Sequence, residues 1–357
     1  MMKPANVSEL QKIIRSHPRL SPGSGRSKTA LAPPEGVDPL DLSGLAGLLE
    51  YQPSEYTFTA LAGTPQAEVN QVLADHGQFL PFDPPFSELG ATLGGTVAAG
   101  LSGSGRYRFG GVRDFLLAVQ YLDGEGQLVR AGGKVVKNSA GFDIPKWMVG
   151  SLGGYGALVE LTFKVFPGPL AYTSLRAGYP SLEEARQALV RLTNTPVDLF
   201  CLDLIPHPSG ADLLLRIGGL PESFPTRIQR LQDLLERGEV IEGDPEIRLW
   251  HESREFSWLP EGASLVKVPL TPRNVIPLDS FLNNQGVVRR YSVGANLAWV
   301  AWRGDLNPLD QGLIQLQLSG LVVLGRPGRS RIGLRKGDGF ARRIKQALDP
   351  NGRWMEA

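Results

Sequence analysis

Residues 85–114 read PFSELGATLGGTVAAGLSGSGRYRFGGVRD, eight glycines among small side chains closing on two arginine-bearing knots. Glycine has no Cβ, so such a stretch lets its main chain come very close to something else or turn through positive φ. The bias extends beyond it: 17 of the chain's 43 glycines lie between Gly90 and Gly156, twice an even share. Two segments of the same character flank it, SPGSGRSK at 21–28 and GSLGGYG at 150–156. Consecutive N–H groups in turns of this kind form nests that hold anions, and three of them together suit a cofactor carrying a diphosphate. The competing use of any one segment is simply to close a turn.

The two common nucleotide signatures both fail. A P-loop needs glycine at each end of GxxxxGK[ST], and aligning Lys28-Thr29 to it places Pro22 and Ser27 where the glycines belong. A dinucleotide GxGxxG fails because Gly23 and Gly25 lead to Lys28, with no βαβ unit around them. Any diphosphate is therefore held by another architecture.

Outward from the glycine-rich core, Ser8 to Arg15 reads as a short helix with Ser8 as N-cap, and 21–36 as a loop broken by Pro and Gly. An alternating strand at 56–60 leads to a helix from Pro65 to Gly77, with His76 as a cap at its end. Residues 114–133 predict two strands joined at Asp123-Gly124, a hairpin signal, and 157–166 a further strand. Beyond the Pro-Gly-Pro at 167–169 the pattern becomes ordinary alternation. Helices are expected near 181–193, 222–237, 272–283, 307–317 and 336–348, the first opened by a Ser181–Glu184 capping box. Strands are expected near 199–205, 211–217, 262–268 and 289–302.

A length of 357 residues exceeds one ordinary core, so two domains are expected, 1–168 and 169–357. A hydrophobic fraction of 42%, 20% charged residues and a net charge of +1 describe a globular protein with no field for nucleic acid or an anionic membrane. The single cysteine, Cys201, excludes an internal disulfide, an iron–sulfur cluster or a thiolate zinc site built by this chain alone. No metal site is expected. The N-terminus lacks a signal-length apolar run and no apolar stretch reaches 18 residues, which predicts a cytoplasmic location with membrane association only through partners.

The loop SPGSGRSK, the segment LDLSGLAGLLEYQPSEYTFTALAGTPQAEVNQVLADHGQFLPFDPP, then GATLGGTVAAGLSG and VVKNSAGFDIPKWMVGSLGGYGALVELTFKVFP follow one another in order. Together they resemble the FAD-binding domain of the vanillyl-alcohol-oxidase, or PCMH-type, flavoproteins, and within that family the FAD-binding subunits of glycolate oxidase complexes. The resemblance spans nearly all of 1–168; the second domain is similar only loosely. It implies an α+β fold, a two-subdomain FAD-binding domain followed by a smaller, ferredoxin-like sheet-plus-helix cap. It implies that Pro22, Gly23, Ser24, Gly25, Arg26 and Ser27, with Gly90, Ala91, Thr92, Leu93, Gly94 and Gly95, supply main-chain groups to the FAD pyrophosphate. Lys137, Asn138, Gly141, Asp143, Gly150, Ser151 and Gly153 would run beside the flavin and adenosine portions, and Val159 would contact adenine. The chain lacks the histidine or cysteine context that attaches flavin covalently in some relatives, so non-covalent FAD is expected.

The same resemblance implies oxidation of glycolate to glyoxylate in a complex with a homologous flavoprotein subunit and an iron–sulfur subunit. A 2-hydroxy acid needs a cation for its carboxylate and a base for its hydroxyl. Arg106, Arg108 and Arg113 are the arginines nearest the cofactor loops, with Arg113-Asp114 readable as a structural pair. Among His17, His76, His207 and His251, only His251 in LWHESREFSW has a polar, partly aromatic setting, and no paired-histidine segment is present. Two other readings stay open: a flavoprotein-fold docking subunit without catalysis of its own, and a stand-alone dehydrogenase for D-lactate or another 2-hydroxy acid. The closing LDPNGRWMEA begins like the family's last segment and stops short of its NPGR, leaving Arg353 as a substitute arginine.

Overall fold

The computed structural model describes every residue except 34, 134–142, 336, 356 and 357. Two antiparallel sheets organise an α+β molecule. The first has five strands in the order Leu48–Gln52, Thr57–Leu61, Ala157–Lys164, Leu116–Leu122, Leu128–Gly132. The second has nine, in the order Glu239–Ile241, Ala171–Tyr179, Gly210–Gly219, Cys201–His207, Val288–Ser292, Leu297–Trp302, Ser264–Pro269, Ser319–Leu324, Arg331–Gly333. All strands of the five-stranded sheet precede residue 165 and all strands of the nine-stranded sheet follow residue 170. On that distribution we propose a division near 168, crossed by the last helix and the chain end, which return to the N-terminal part.

Alternation along Ser264–Pro269 decides what the large sheet touches. Val266 and Val268 lie on one face, in the core formed with the helices Leu182–Thr193, Val275–Asn283 and Asn307–Gln315. Leu265 and Lys267 lie on the other, beside Trp299 and Leu321 across the ladder. That face meets the glycine-rich segment, where Phe86, Ala91, Ala99, Leu101 and Leu152 pack with Leu265, Trp299 and Val323. Both faces of Leu297–Trp302 are therefore covered, which is why every residue of that strand is buried.

Polar ties cross the same junction. Asp203 is fully buried and accepts from Ser104 Oγ at 2.6 Å, Ser292 Oγ at 3.0 Å and Val293 N at 3.2 Å. Burial pushes its carboxyl up to about 6 against the pull of those three donors. Glu255 accepts from the amides of Ser87 and Glu88, and Gly325 N donates to Thr29 Oγ1.

Several local details differ from the sequence reading. Asn6, not Ser8, caps the first helix, Val7–Ser16, by accepting from Glu9 N. Asp123-Gly124 opens a five-residue loop in which Asp123 Oδ1 accepts from Glu125 N and Gln127 N, and the positive φ falls at Gly126. Residues 21–36 include a short strand, Leu20–Gly23, pairing in parallel with Asp38–Asp41. The 289–302 stretch is a hairpin turned at Val293, Gly294 and Ala295, all with φ near +60°.

The chain end packs against the N-terminal helix and the strand that follows it. Trp354 is fully buried among Leu10, Ile14, Leu20 and Leu40. Leu20 N donates to Arg353 O and Met355 N to Leu20 O, so the terminus continues the small parallel ladder. Arg353 Nη1 donates to the carbonyls of Ile14 and His17, which commits it to the N-terminal helix rather than to a cofactor.

Candidate functional site

Three glycine-bearing segments converge, as their composition suggested, but part of the reason is the protein's own backbone. A Cβ on Gly25 would lie 1.8 Å from Gly90 O, and one on Gly94 2.8 Å from Ala62 O. These two glycines let main chain touch main chain. Gly153 likewise lies against Pro22, where a Cβ would meet Cγ at 2.8 Å. The turn at 150–153 is held on the helix Leu93–Ala99 by Gly150 N to Val97 O and Leu152 N to Ala98 O. Ser24 Oγ hydrogen-bonds Thr92 Oγ1 at 2.5 Å, joining the first segment to the second.

The convergence leaves a cavity of about 580 Å³ lined by Ser21–Thr29, Thr92, Gly95, Ala98, Ala99 and Leu152, and roofed by Leu31–Pro33 and Glu35–Val37. None of the main-chain N–H groups from Ser24 to Lys28 donates to a carbonyl among the described residues. Arg26 takes a positive φ of 49°, the alternation that aims successive amides into one concavity. Gly23 has open space where its Cβ would be, and a Cβ on Gly95 would face Lys28 Nζ at 3.8 Å.

Arg26, Lys28, Glu35 and Asp41 are the charged residues that line this cavity, and Lys28 is the less exposed of the two cations. It is partly buried, donates to Ser27 Oγ at 2.9 Å, and has no acidic partner among the described residues. Burial alone lowers it to about 8. A partly buried ammonium facing open amides is a site suited to an anion. An FAD diphosphate fits these groups: free amides, an uncompensated cation and walls from which Cβ atoms are missing.

A second cavity of about 730 Å³ adjoins the first, sharing Ala99 and Leu152. It lies between the glycine-rich segment and the open face of the nine-stranded sheet. Arg106 and Arg113 line it from one side, and Lys267, Arg331 and Arg335 from the other. Asp114, the one carboxylate that lines it among the described residues, accepts from Gly111 N at 2.8 Å.

Against these two cavities the sequence-named residues divide. Pro22 to Ser27, Thr92 and Gly95 line the first, and Gly150 the second. Ala91, Leu93 and Gly94 are buried behind the first wall, Gly90 packs on Gly25, and Ser151 is buried in its turn. Lys137, Asn138 and Gly141 lie outside the described residues, while Asp143 is exposed ahead of the short helix Ile144–Met148. Val159 lines neither cavity; its side chain is in the core with Trp354 and its carbonyl accepts from Ala62 N.

Of the proposed chemical residues, Arg106 and Arg113 reach the second cavity, and Arg108 and His251 do not. Arg108 forms an ion pair with Asp198 and lies over the Phe109 and Phe200 rings. His251 Nε2 pairs with Glu88 at 2.7 Å on the surface, and no histidine lines either cavity. His76 Nδ1 contacts Val72 O at its helix end. Cys201 is buried against Phe200, Leu214 and Trp250, where burial raises its thiol well above the ordinary value. Lys28 was legible only as a basic loop residue, and Lys267 was missed. Its signal was a single lysine inside SLVKVP, an apolar strand in which only a partnered or functional charge belongs.

Residues 1–132 match the family described as an FAD binding domain. The chain is 40% identical to glycolate oxidase subunit GlcE of Escherichia coli strain K12 over 193 residues, 54% of this chain and 55% of that protein. It is 24% identical to glycolate oxidase subunit GlcD of Bacillus subtilis strain 168, covering 68% of this chain and 56% of that protein. D-lactate dehydrogenase of Archaeoglobus fulgidus is 26% identical over 199 residues, 54% of this chain and 44% of that protein. The chain thus spans about half the length of these relatives. Among solved structures, alkyldihydroxyacetonephosphate synthase superposes with a TM-score of 0.70 at 16% identity, covering 98% of this chain and 75% of that one, which establishes a shared fold. Two of the three converging glycine segments thus lie within the residues that match an FAD binding domain, in a chain similar to glycolate oxidase subunit GlcE over half its length.

Proposed function

We propose that this chain is the FAD-carrying subunit of a glycolate-oxidising complex, converting a small 2-hydroxy acid to the 2-oxo acid and passing the two electrons to an iron–sulfur subunit. A single observation carries the cofactor assignment: Lys28, partly buried and with no ion-pair partner among the described residues, faces a row of unused amides across a cavity made by three glycine segments. Ser24 to Lys28 and Gly95 would hold the diphosphate, with Thr92 fixing the loop through Ser24. When bound, FAD supplies the two-electron acceptor for the substrate C–H bond. The chain's residues bind and orient the acid in the neighbouring cavity and exclude water there. The likeness to GlcE and GlcD supports the substrate class, and the name subunit borne by both supports assembly with other chains.

Purified with its copurifying partners, the protein should carry stoichiometric FAD whose absorbance bleaches on anaerobic addition of glycolate. Folded, colourless protein that takes up no FAD would refute the cofactor. Glycolate oxidation surviving deletion of the chain would refute the role.

The lack of any histidine at either cavity favours a second reading, in which this subunit holds flavin for electron transfer while another subunit oxidises the acid. Glycolate bleaching the flavin of the isolated chain would count against it.

A further inference from the structure

The two walls of the first cavity meet at one end. Ser24 Oγ hydrogen-bonds Thr92 Oγ1 at 2.5 Å, and Gly25 lies against Gly90. From there the walls part around the cavity, which reaches Leu31 along the loop and Ala98 and Ala99 along the helix Leu93–Ala99. Beyond that, each wall is tied to the nine-stranded sheet.

The loop is fastened to one strand. Thr29 Oγ1 accepts from Gly325 N at 3.0 Å, just past the strand Ser319–Leu324. Ala30 is fully buried in the core on the helix-covered face of the sheet, while Leu31 packs with Leu265, Trp299 and Val323 on the other. The turn Thr29–Leu31 thus contributes to both faces. The helix is fastened to the neighbouring strand. Its C-cap, Gly100, has φ +61°, and Lys267 Nζ in the strand Ser264–Pro269 donates to Gly100 O at 2.7 Å. An ammonium suits a helix carboxyl end, where carbonyls lack intrahelical partners and the dipole is negative. The two strands are adjacent, with Leu265 opposite Leu324 and Lys267 opposite Leu321. Both walls therefore hang from one ladder, whose strand spacing is set by its own hydrogen bonds.

We propose that the nine-stranded sheet sets the opening of the FAD cradle, with Lys267 and the turn Thr29–Leu31 as its two anchors. The identity of the ligand rests on the FAD reading above; the anchorage does not. Lys267 is a positioning residue, because it lines the second cavity and not the first and acts on the cofactor through Gly100 and the helix. A cradle already held at the right width loses no binding energy to ordering its walls. Coupling of this kind is reciprocal, so FAD spanning both walls tightens the sheet's hold on them.

Flavin-fluorescence titration and thermal melts of Lys267→Met separate positioning from general stability. The ammonium it removes is one that burial and the neighbouring Arg106 disfavour, lowering it to about 8. We expect FAD to bind about tenfold more weakly while the FAD-free protein melts no lower than the wild type. Thr29→Val, which loses the acceptor for Gly325 N, is expected to weaken FAD and Thr29→Ser to restore it. Should Lys267→Met misfold, hydrogen–deuterium exchange of the wild type reads the reciprocal effect. FAD is expected to slow the amides of 322–325, which line neither cavity, more than those of the strand Ala171–Tyr179 at the far side of the sheet. Lys267→Met that binds FAD as the wild type does, FAD lost only in step with stability, Thr29→Ser no better than Thr29→Val, or equal slowing across the sheet overturns the anchorage and leaves the FAD reading intact. Folded protein that takes up no FAD overturns both.

Discussion

Lys28 shows how much a single side chain constrains the reading. Its pKa in the folded chain, about 8, lies below the ordinary lysine value of 10.5, so in the absence of a bound anion folding disfavours its charged form. The sign follows directly: between pH 8 and 10.5 the unfolded chain holds a proton that the folded chain has released, so stability rises with pH across that window and is flat below it. At neutral pH the cost is about 3 kcal/mol. Lys28→Met is expected to stabilise the FAD-free protein by up to that amount and erase the alkaline rise, while weakening FAD by about tenfold or more. Denaturant melts of the FAD-free protein from pH 7 to 10.5 and flavin-fluorescence titration check the two halves. A variant that binds FAD as the wild type does would exclude Lys28 from the cofactor site. Stability withheld in the empty protein and recovered on binding is what a ligand site looks like energetically.

At the scale of the element, the loop 22–28 and the segment 90–95 are fitted to one another before they are fitted to any ligand. Gly25 and Gly90 separate two reasons for glycine. Gly25→Ala drives a Cβ into the Gly90 carbonyl and must part the two segments, whereas Gly90 has φ +74° and a Cβ there would meet only Gly25 O, at an ordinary contact distance of 3.8 Å. Gly90→Ala therefore costs about 1 kcal/mol of backbone strain and leaves the cradle in place. We expect Gly25→Ala to lose FAD binding outright and Gly90→Ala to retain it within a few fold, read by flavin retained through gel filtration. Equal behaviour of the two variants would mean that contact between these segments does not shape the cradle. The sequence showed that these stretches need glycine; it could not distinguish a phosphate from a neighbouring carbonyl as the thing that comes close, because both demand the same missing Cβ.

At the scale of the whole molecule, the chain closes on itself. The helix Asp338–Leu348 and the residues after it leave the nine-stranded sheet and return to the N-terminal part, where Lys345 Nζ donates to Gly154 O and Trp354 fills the space between Leu10, Ile14 and Leu20. Removing that ring opens a cavity in a closed core, so Trp354→Ala is expected to lower stability by about 3–5 kcal/mol. Its buried Nε1 has no hydrogen-bond partner among the described residues, so Trp354→Phe, which keeps most of the ring volume and removes that donor, is expected to cost much less. Thermal melts of both variants decide it, and a Trp354→Ala protein as stable as wild type would show the terminus to be merely parked. Since this core backs the strand Leu20–Gly23 that leads into the cofactor loop, FAD retention is expected to fall with stability in the same series.

By itself the sequence determined the elements and the cofactor class. Period and capping placed the helices near 181–193 and 222–237, and glycine clustered where backbone must approach closely, because both signals are local and are written in neighbouring residues. Residues 134–142, on which part of the cofactor reading fell, lie outside the described structure. Only the tertiary structure brought Lys267 from a strand more than 150 residues away to Gly100, and set Arg106 in a cavity while turning Arg108 to Asp198 two residues on. It also gave His251 a surface partner in Glu88 and Arg353 to the first helix. Side-chain direction and counter-charge depend on which segments meet across a sheet face, and no local pattern encodes that meeting.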